Sequence, residues 1–562
     1  MPRDREAKKT LQRRLAALRV ERDTVAEHWR DIRDFILPDH GSGLNDAKRN
    51  RKDGDKRQER IYDATATRAM DMLAAGLMGG LTSPARPWFR LSTPDPIDHD
   101  RHDVRVWLSE VEEAMRTVMS KSNLYKALHH CYAELAGFGT GPISIVEDFD
   151  RVIHCRPMTV GEYYLGVDHK GRVNVCYREL RMTASQMIEE FGREYCSISV
   201  RNAYDNGQPD AKFTVVHAIE PNDDRISLRD AQDRPFRSIY WEVGGDDDLI
   251  LRVSGFDEFP ILGPRWFVVG SQVYGRSPGM RVLPDVKQLQ KETRLKLEAI
   301  DKVVDPPVSV PGGPSEHSIN TFRGGVTYDT TAMGGSGPGI RPLYQIAPDL
   351  GVLMHDIQDL RMQIRQGLFN DLFLMLAGSD RPQMTAREVA ERHEEKMLML
   401  GPVLERLHDE LLTPMIDRVF NVMARAEIIR PAPEALQGVT LKVEYISIMA
   451  QAMKMAGVSA IESFTGFVGN LASVNPTVLD KVDFDELADV YADRMGVPPT
   501  IIVPDEQVAE IRQARANQEQ QQQGLLAAEQ IANTAKTLAD TDVSQGSALP
   551  PVAAAMAGMG GM

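Results

Sequence analysis

The hydrophobic positions ahead of Pro38 fall on one helical stripe. Leu11, Leu15, Leu18, Val25, Trp29, Ile32 and Ile36 recur at steps of three and four residues, interrupted by Arg22, and Pro38 ends the run. From His40 to Arg60 the periodicity vanishes into a Gly-containing, heavily charged stretch that reads as a loop, either solvated or in touch with nucleic acid. Three more helices are predicted near Ile61–Met78, Val104–Ser120 and Leu124–Ala136. Between Ile143 and Val269 the period shifts towards two, as in Ile143–Val146, Phe213–Val216, Ser238–Trp241 and Leu249–Val253, with Gly, Asp and Pro between them. This predicts an antiparallel β portion laid against the early helices. Thr183-Ala-Ser-Gln186 supplies a capping box for a short helix inside it.

The next stretch is more unusual. A helix is predicted from Pro284 to Val304, where Pro306-Pro307 stops it, and at 1.5 Å per residue it would span about 31 Å. Its stripe is Val286, Leu289, Leu297, Ile300 and Val304. Lys287, Lys291, Arg294 and Lys302 share one flank, with Glu298 the only acid among them. Gly pairs at 312, 324 and 334 then punctuate an excursion too poor in apolar positions for its own core, with strand-like pieces at Gly325–Tyr328 and Pro342–Ile346. A second helix, from Asp349 to Phe369, carries the stripe Leu353, Ile357, Leu360, Ile364 and Leu368. Asp349, Asp356 and Asp359 lie on one flank and Arg361 and Arg365 on the other. Two readings fit: copies in a ring that pack their narrow seams and match basic to acidic flanks, or an ordinary helical hairpin with solvated flanks.

After Leu376 comes a polar loop, Ala377–Gln383. Thr385-Ala-Arg-Glu388 then caps a predicted helix of roughly forty residues, bent at Gly401-Pro402 and Thr413-Pro414 and ended by Pro431 and Pro433. Further helices are expected at Ser447–Leu471, Phe484–Met495 and Pro504–Thr537, the last Gln-rich at Gln518–Gln523. The patternless end from Gln545 predicts disorder.

Composition narrows the function. A chain of 562 residues outgrows one hydrophobic core, so two or three domains are expected at least. No apolar run is long enough to cross a bilayer, and the Met1 end has no apolar export segment. Cys131, Cys155, Cys176 and Cys196 stand singly, which argues against a zinc knuckle or a disulfide framework and for buried thiols in a reducing cytoplasm. The net charge is −15, yet residues 1–60 hold seventeen Lys and Arg against twelve Asp and Glu. An acidic balance with local basic stripes suits a protein that lets DNA slide, because phosphate affinity comes from Lys and Arg. No Gly-rich loop of the G-x-x-x-x-G-K-[ST] type occurs, so ATP hydrolysis is not expected. His129-His130 with Glu134 reads as a polar helix face in preference to a metal pair, and Asp246-Asp-Asp248 as a solvated turn in preference to a calcium loop. Trp88 and Phe89 read as a wedge closing a loop onto the core in preference to a base-stacking platform. No catalytic, cofactor or metal site is predicted.

Five segments in order carry a resemblance: Gly80-Leu-Thr-Ser-Pro-Ala-Arg-Pro-Trp-Phe-Arg-Leu91, Phe138-Gly-Thr-Gly141, Tyr274-Gly-Arg-Ser-Pro-Gly279, Met384-Thr-Ala-Arg-Glu-Val389 and Ala450-Gln-Ala-Met453. Over nearly its whole length the chain resembles the portal, or head-to-tail connecting, proteins of T7-like and related podoviruses. The resemblance implies a mainly α fold with an antiparallel β portion (α+β, multidomain), divided into wing (1–280), stem helix (281–304), clip (305–347), second stem helix (348–376), channel loop (377–384), bent wing helix (385–430), crown (431–503), C-terminal barrel helix (504–540) and a disordered tail (541–562). It implies a dodecameric ring at one capsid vertex of the virion, assembled in the host cytoplasm, without cofactor or catalysis. The implied partners are double-stranded DNA bound without sequence preference, terminase, tail adaptor and tail proteins, and capsid and scaffold or internal core proteins, with no membrane. On that placement the DNA-channel candidates are Lys287, Lys291, Arg294, Lys302, Asp380, Arg381 and Gln383, and the subunit-contact candidates are Asp349, Asp356, Asp359, Arg361 and Arg365. The rival readings are a capsid scaffold or internal core protein and, further off, a nucleic-acid-processing enzyme.

Overall fold

The computed structural model describes residues 5–41, 43–44, 58–93, 102–223, 233–246, 249–311, 319–329, 341–342, 350–376, 400–436, 441–446, 458–473, 475–495, 503 and 505–539. The chain divides into two compact units, Met1–Ala456 and Gly457–Met562.

The first unit is built on four helices, α1 (Arg5–Phe35), α2 (Thr65–Leu81), α3 (His102–Lys121) and α4 (Leu124–Phe138). The stripe read from α1 does two jobs. Its C-terminal part, Val25, Trp29 and Ile32, enters the main core beside Met70, Leu73 and Leu77 of α2 and Leu128, Tyr132 and Leu135 of α4. Its N-terminal part, Leu11, Leu15 and Leu18, covers one face of a β-sheet instead. Arg22, the polar break between them, reaches the Gly161 carbonyl at 3.2 Å and lies over the Tyr164 ring.

The expected β portion is present and antiparallel. The strands are β1 (Phe89–Ser92), β2 (Ile143–Asp148), β3 (Val152–Pro157), β4 (Tyr163–Val167), β5 (Val173–Thr183), β6 (Lys212–Pro221), β7 (Phe236–Glu242), β8 (Arg252–Phe256) and β9 (Ile261–Leu262). Strands β4 to β8 form a five-stranded meander in sequence order, and β3, β2 and β9 form a smaller sheet. On the meander's α1 face sit Tyr177, Val216, Ala218, Ile239 and Trp241. Two short helices, α5 (Ala184–Phe191) and α6 (Ile198–Asp205), cover part of the other face through Met187, Phe191 and Val200. The capping box at α5 forms as its sequence requires: Thr183 Oγ1 accepts from the Gln186 N–H, and Gln186 Oε1 accepts from the Thr183 N–H. Trp88 and Phe89 are fully buried, with the indole N–H of Trp88 donating to Tyr125 Oη at 3.3 Å. They close the segment onto the core and are not available to stack on bases.

The long helix α7 runs Pro278–Val304, six residues longer at its start than the pattern predicts. Ser277 is its cap, accepting from the Met280 N–H at 2.9 Å, and Pro278 takes the first-turn position that Pro284 was expected to hold. Pro284 therefore sits inside the helix. Three short strands follow, β10 (Val308–Pro311), β11 (Val326–Asp329) and β12 (Arg341–Pro342), with β10 central, parallel to β11 and antiparallel to β12. Helix α8 (Leu350–Gly367) returns antiparallel to α7, since a Cβ on Gly367 would come within 2.4 Å of Val282 near the start of α7. Phe369, at φ 58°, breaks the chain direction before α9 (Asn370–Leu376).

Residues 400–425 form one helical run, α10, whose His408–Leu412 segment is π-helical. The wider turn lies just ahead of Pro414, where the missing N–H must be absorbed. It also turns Glu410 towards Arg265, whose backbone N–H and guanidinium both bond to the carboxylate, at 2.9 and 2.6 Å. The run ends at Arg425, not at Pro431, because Glu427 adopts a positive φ of 56°. The capping box at Thr385 lies outside the described residues. Strand β13 (Lys442–Tyr445) pairs with β1 and so stands with the first unit.

In the second unit, α11 (Val458–Ala472) is tied to α12 (Phe484–Met495) by Tyr491 Oη on Glu462 at 2.9 Å. The Gln-rich helix α13 (Asp505–Ala539) is tied to α12 by Arg512 on Asp485. The four cysteines are buried and unpaired, and burial pushes the Cys155 and Cys176 thiols up to about 12. No helix among the described residues is long and apolar enough to cross a membrane.

Candidate channel and subunit-contact site

The two long helices hold all of the described candidate residues. Their near ends are held fast: Val286 and Leu289 of α7 and Ile357, Leu360 and Ile364 of α8 are all buried in the main core. Gln290 closes that zone. Its Oε1 accepts from the N–H groups of Tyr62 and Asp63 at 2.6 and 2.8 Å, and its Nε2 donates to the Asp63 carbonyl at 2.7 Å. Asp63 in turn accepts from Arg361 of α8 at 2.8 Å. Burial opposes the Asp63 charge, but the Thr65 hydroxyl and N–H and the Arg361 guanidinium outweigh it and hold the carboxyl below its usual range.

Beyond Gln290 the cover ends. Leu297, Ile300 and Val304 were expected on the same buried stripe as Val286 and Leu289, but Leu297 is 48% and Val304 77% exposed. Leu295, Val303, Val352, Met354 and Met362 are exposed as well. On α7 the apolar seam is thus buried inside the chain over its first half and open over its second, whereas on α8 it stays buried at Ile357, Leu360 and Ile364, and at Leu368 just past the helix end.

The charged candidates divide in the same way. Lys287 pairs with Asp31 of α1 at 2.8 Å, its ammonium 5.6 Å from the Phe35 ring, and Arg361 is bound to Asp63 as above. Both are committed to partners within their own chain. Arg294 pairs only along its own helix, with Glu298 at 2.8 Å, and Asp359 likewise with His355 at 3.2 Å. Lys291, Asp356 and Arg365 are exposed and Lys302 half-buried, with no ion pair among the described residues. Arg323 joins the excursion to the end of α7 through Asp301 at 3.1 Å. Asp349, Asp380, Arg381 and Gln383 lie outside the described residues.

Two of the quoted motifs meet at the root of α7. The Gly275 N–H donates to Thr140 Oγ1 at 2.9 Å, Ser277 Oγ donates to the Gly137 carbonyl at 2.7 Å, and the Trp266 N–H donates to the Gly139 carbonyl at 3.0 Å. Phe138-Gly-Thr-Gly141 and Tyr274-Gly-Arg-Ser-Pro-Gly279 are therefore two sides of one backbone junction that fixes where the long helix starts.

His130 and Glu134 are joined by His40, not His129. His40 Nδ1 lies 2.7 Å and His130 Nε2 3.6 Å from Glu134, which is fully buried and also accepts from Thr159 Oγ1 and the Val160 N–H. The three groups have the atom types and proximity of a metal set. Their orientation is wrong for one. The imidazoles stack at 4.8 Å and 18°, so their in-plane lone pairs run side by side, and the carboxylate is already taken by protein donors. The carboxylate instead sets the two imidazoles apart in their titration. Burial works against a charged His40, but Glu134 outweighs it and raises its pKa, whereas burial lowers that of His130. The signs differ accordingly. His40 contributes stability that is complete below its unfolded pKa near 6.5 and lost as pH rises through the higher folded value. His130 contributes stability present above that pKa and lost as pH falls. Unfolding midpoints across roughly pH 5 to 8 should therefore show His40→Gln losing the decline towards high pH and His130→Gln losing the decline towards low pH; superimposable profiles for both variants and the parent would refute this.

The architecture defines a class: an α+β chain with a two-helix hairpin whose outer half is left apolar and charged. A family model described as "Bacteriophage head to tail connecting protein" matches residues 8–502, and the chain belongs to that family, as a portal (head-to-tail connector) subunit. Among its relatives, the probable portal protein of Bordetella phage BPP-1 is 45% identical over 553 residues, covering 98% of this chain and 99% of its own. The portal protein of Salmonella phage epsilon15 is 44% identical over 548 residues, covering 97% and 98%. Among solved structures, a chain from the virion of a native gene transfer agent particle aligns over 72% of this chain and 86% of its own, at 10% identity and a TM-score of 0.32, too low to inform the fold.

Proposed function

We propose that this chain assembles through its outer hairpin into a closed ring at one capsid vertex, at the junction of head and tail, and that the ring is the conduit through which double-stranded DNA enters and leaves. The observation that carries the proposal is the half-open seam. Leu295, Leu297, Val303 and Val304 of α7 and Val352 and Met354 of α8 are exposed at the outer end of one hairpin between charged flanks, which is how a heterologous, cyclically closing contact looks in a single subunit. In this arrangement Asp356, Asp359 and Arg365 serve subunit contacts, and Lys291, Arg294 and Lys302 divide between those contacts and the channel. Lys287 and Arg361 have a positioning role, since their charges are spent inside the chain. Asp349 joins the contact set and Asp380, Arg381 and Gln383 the channel set on their place in the sequence. The segments keep the assignment of wing, stem, clip, crown and barrel given above.

The ring would act without catalysis, and its acidic balance keeps it from gripping phosphate. Terminase, the tail adaptor and the capsid with its scaffold or core proteins are its expected partners. Native mass measurement tests this: the purified chain should give a closed species of about twelve copies, each of 62.7 kDa. A stable monomer at micromolar concentration, with no annular particles on microscope grids, would defeat the proposal.

A further inference from the structure

The face of the five-stranded sheet turned away from α1 carries a row of side chains that neither the main core nor the proposed ring uses. Strand register sets Arg178 opposite His217, His217 opposite Tyr240 and Tyr240 opposite Arg252. Across an antiparallel pair, opposed like charges destabilise, so the row is affordable only if the histidine is neutral. It is: burial, followed by the charges of Arg178, Arg252 and Arg156, holds its pKa well below the usual value. The hydrogen bonds fix its tautomer. Arg178 Nε donates to His217 Nδ1 at 3.0 Å, so the ring proton is on Nε2, 2.8 Å from Ser238 Oγ. The imidazole then stacks on Tyr240 at 3.8 Å, and Arg252 lies over the same Tyr240 ring.

This row floors a cavity of about 720 Å³, whose far wall includes Arg156 of the smaller sheet. Arg178 is only 7% exposed, and its Nη1 has no hydrogen-bond partner. Neither Arg178 nor Arg156 has an ion pair among the described residues. Arg252 has Glu190 on one nitrogen at 2.7 Å and nothing on Nε. Leaving buried guanidinium nitrogens unmatched is costly unless something outside the chain supplies the counter-charge.

We propose that this cavity is a binding site for a small phosphate-class anion, whose oxygens are met by Arg178 from the floor, Arg252 from the edge strand and Arg156 from the facing sheet. Three guanidinium groups converging from different strands suit a tetrahedral oxyanion, which can accept from several sides, better than a carboxylate, which takes one fork. The volume falls within the usual range for small-molecule sites, roughly 300 to 1,000 Å³, and so leaves room for a group attached to the phosphate. Glu147, Glu189, Glu190 and Asp257 also line the cavity, but against five arginines, Arg181 and Arg234 included, so the lining keeps a surplus of positive charge for the anion. Because the arginines come from two sheets, the bound anion ties the three-stranded sheet to the five-stranded one.

The test is calorimetric titration of the assembled, full-length protein in low-salt buffer with inorganic phosphate and, separately, with deoxyadenosine monophosphate. Phosphate should bind with a dissociation constant of about 1 mM or tighter and raise the unfolding temperature. Arg178→Met should weaken binding about tenfold or more, and Arg156→Gln, at an exposed position that leaves packing intact, about three- to tenfold. Tighter binding of the nucleotide identifies a nucleotide site, and equal binding a site for free phosphate; either upholds the proposal. No heat up to about 20 mM phosphate, affinity unchanged in Arg156→Gln, or binding of duplex DNA that phosphate does not compete away would overturn it.

Discussion

Gly275→Ala is expected to abolish soluble folded protein, and Gly139→Ala to do nearly the same. A Cβ on Gly275 would stand 2.1 Å from the Gly139 carbonyl oxygen, and one on Gly139 would stand 2.3 Å from the Gly275 carbonyl oxygen. Both obstacles are backbone atoms, so no rotamer change relieves them. Gly139 also sits at φ +82°, where a side chain adds strain of its own. The two segments cannot simply move apart, because doing so breaks the bonds from the Gly275 N–H to Thr140, from Ser277 to Gly137 and from the Trp266 N–H to Gly139. The combined cost should exceed about 4 kcal/mol, the range reserved for severe backbone or core lesions and a large share of a domain's stability of roughly 5 to 15 kcal/mol. Gly171→Ala is the control. Its φ is +77° but nothing lies within 4 Å of its Cβ position, so only the conformational strain of about 1 to 2 kcal/mol remains. Soluble yield and thermal unfolding of the three variants decide the matter, and a Gly275→Ala protein melting within a few degrees of the parent would show the junction to be far softer than its geometry.

That junction also marks where the sequence is legible and where it is not. Features set by neighbours along the chain were readable: the α5 capping box, the stop of α7 at Pro306-Pro307, the buried stripe of α8, and the shift to period two at Ile143. The start of α7 is ambiguous in the sequence because two Pro residues carry the same local signal, and only the Ser277 cap, bound to Met280 and Gly137, selects Pro278. Contacts between distant segments leave no such mark. Gly139 and Gly275 are conspicuous as glycines, but nothing local says that each is the other's obstacle. His40 lies ninety-four positions from Glu134 and belongs to a stretch that reads as loop. The row Arg178, His217, Tyr240 and Arg252 exists only once the registers of four strands are known. The hairpin is the intermediate case: its narrow seam is visible in the pattern, but the point where the cover stops depends on Gln290 reaching back to Tyr62 and Asp63.

That stopping point yields the second large effect, on assembly with folding spared. Val304→Asp and Leu297→Asp replace side chains that are 77% and 48% exposed, so the isolated subunit should keep its helical spectrum and unfold within about 0.5 kcal/mol of the parent, as surface substitutions do. Leu289→Asp, on the same helix but fully buried, should instead unfold it by leaving an unpaired carboxylate in the core. In a ring the comparison reverses. Each interface would bury an aspartate against apolar groups such as Val352 or Met354 of a neighbour, at a cost of several kcal/mol, and cyclic symmetry repeats that cost at every contact. The concentration at which rings form should rise about a hundredfold or more, read by light scattering or native mass on the same samples used for unfolding. The double variant should remain monomeric throughout. If instead both single variants close into rings at parental concentrations, the outer half of the seam faces solvent in the assembly, and the subunit contact must be sought on another face of the chain.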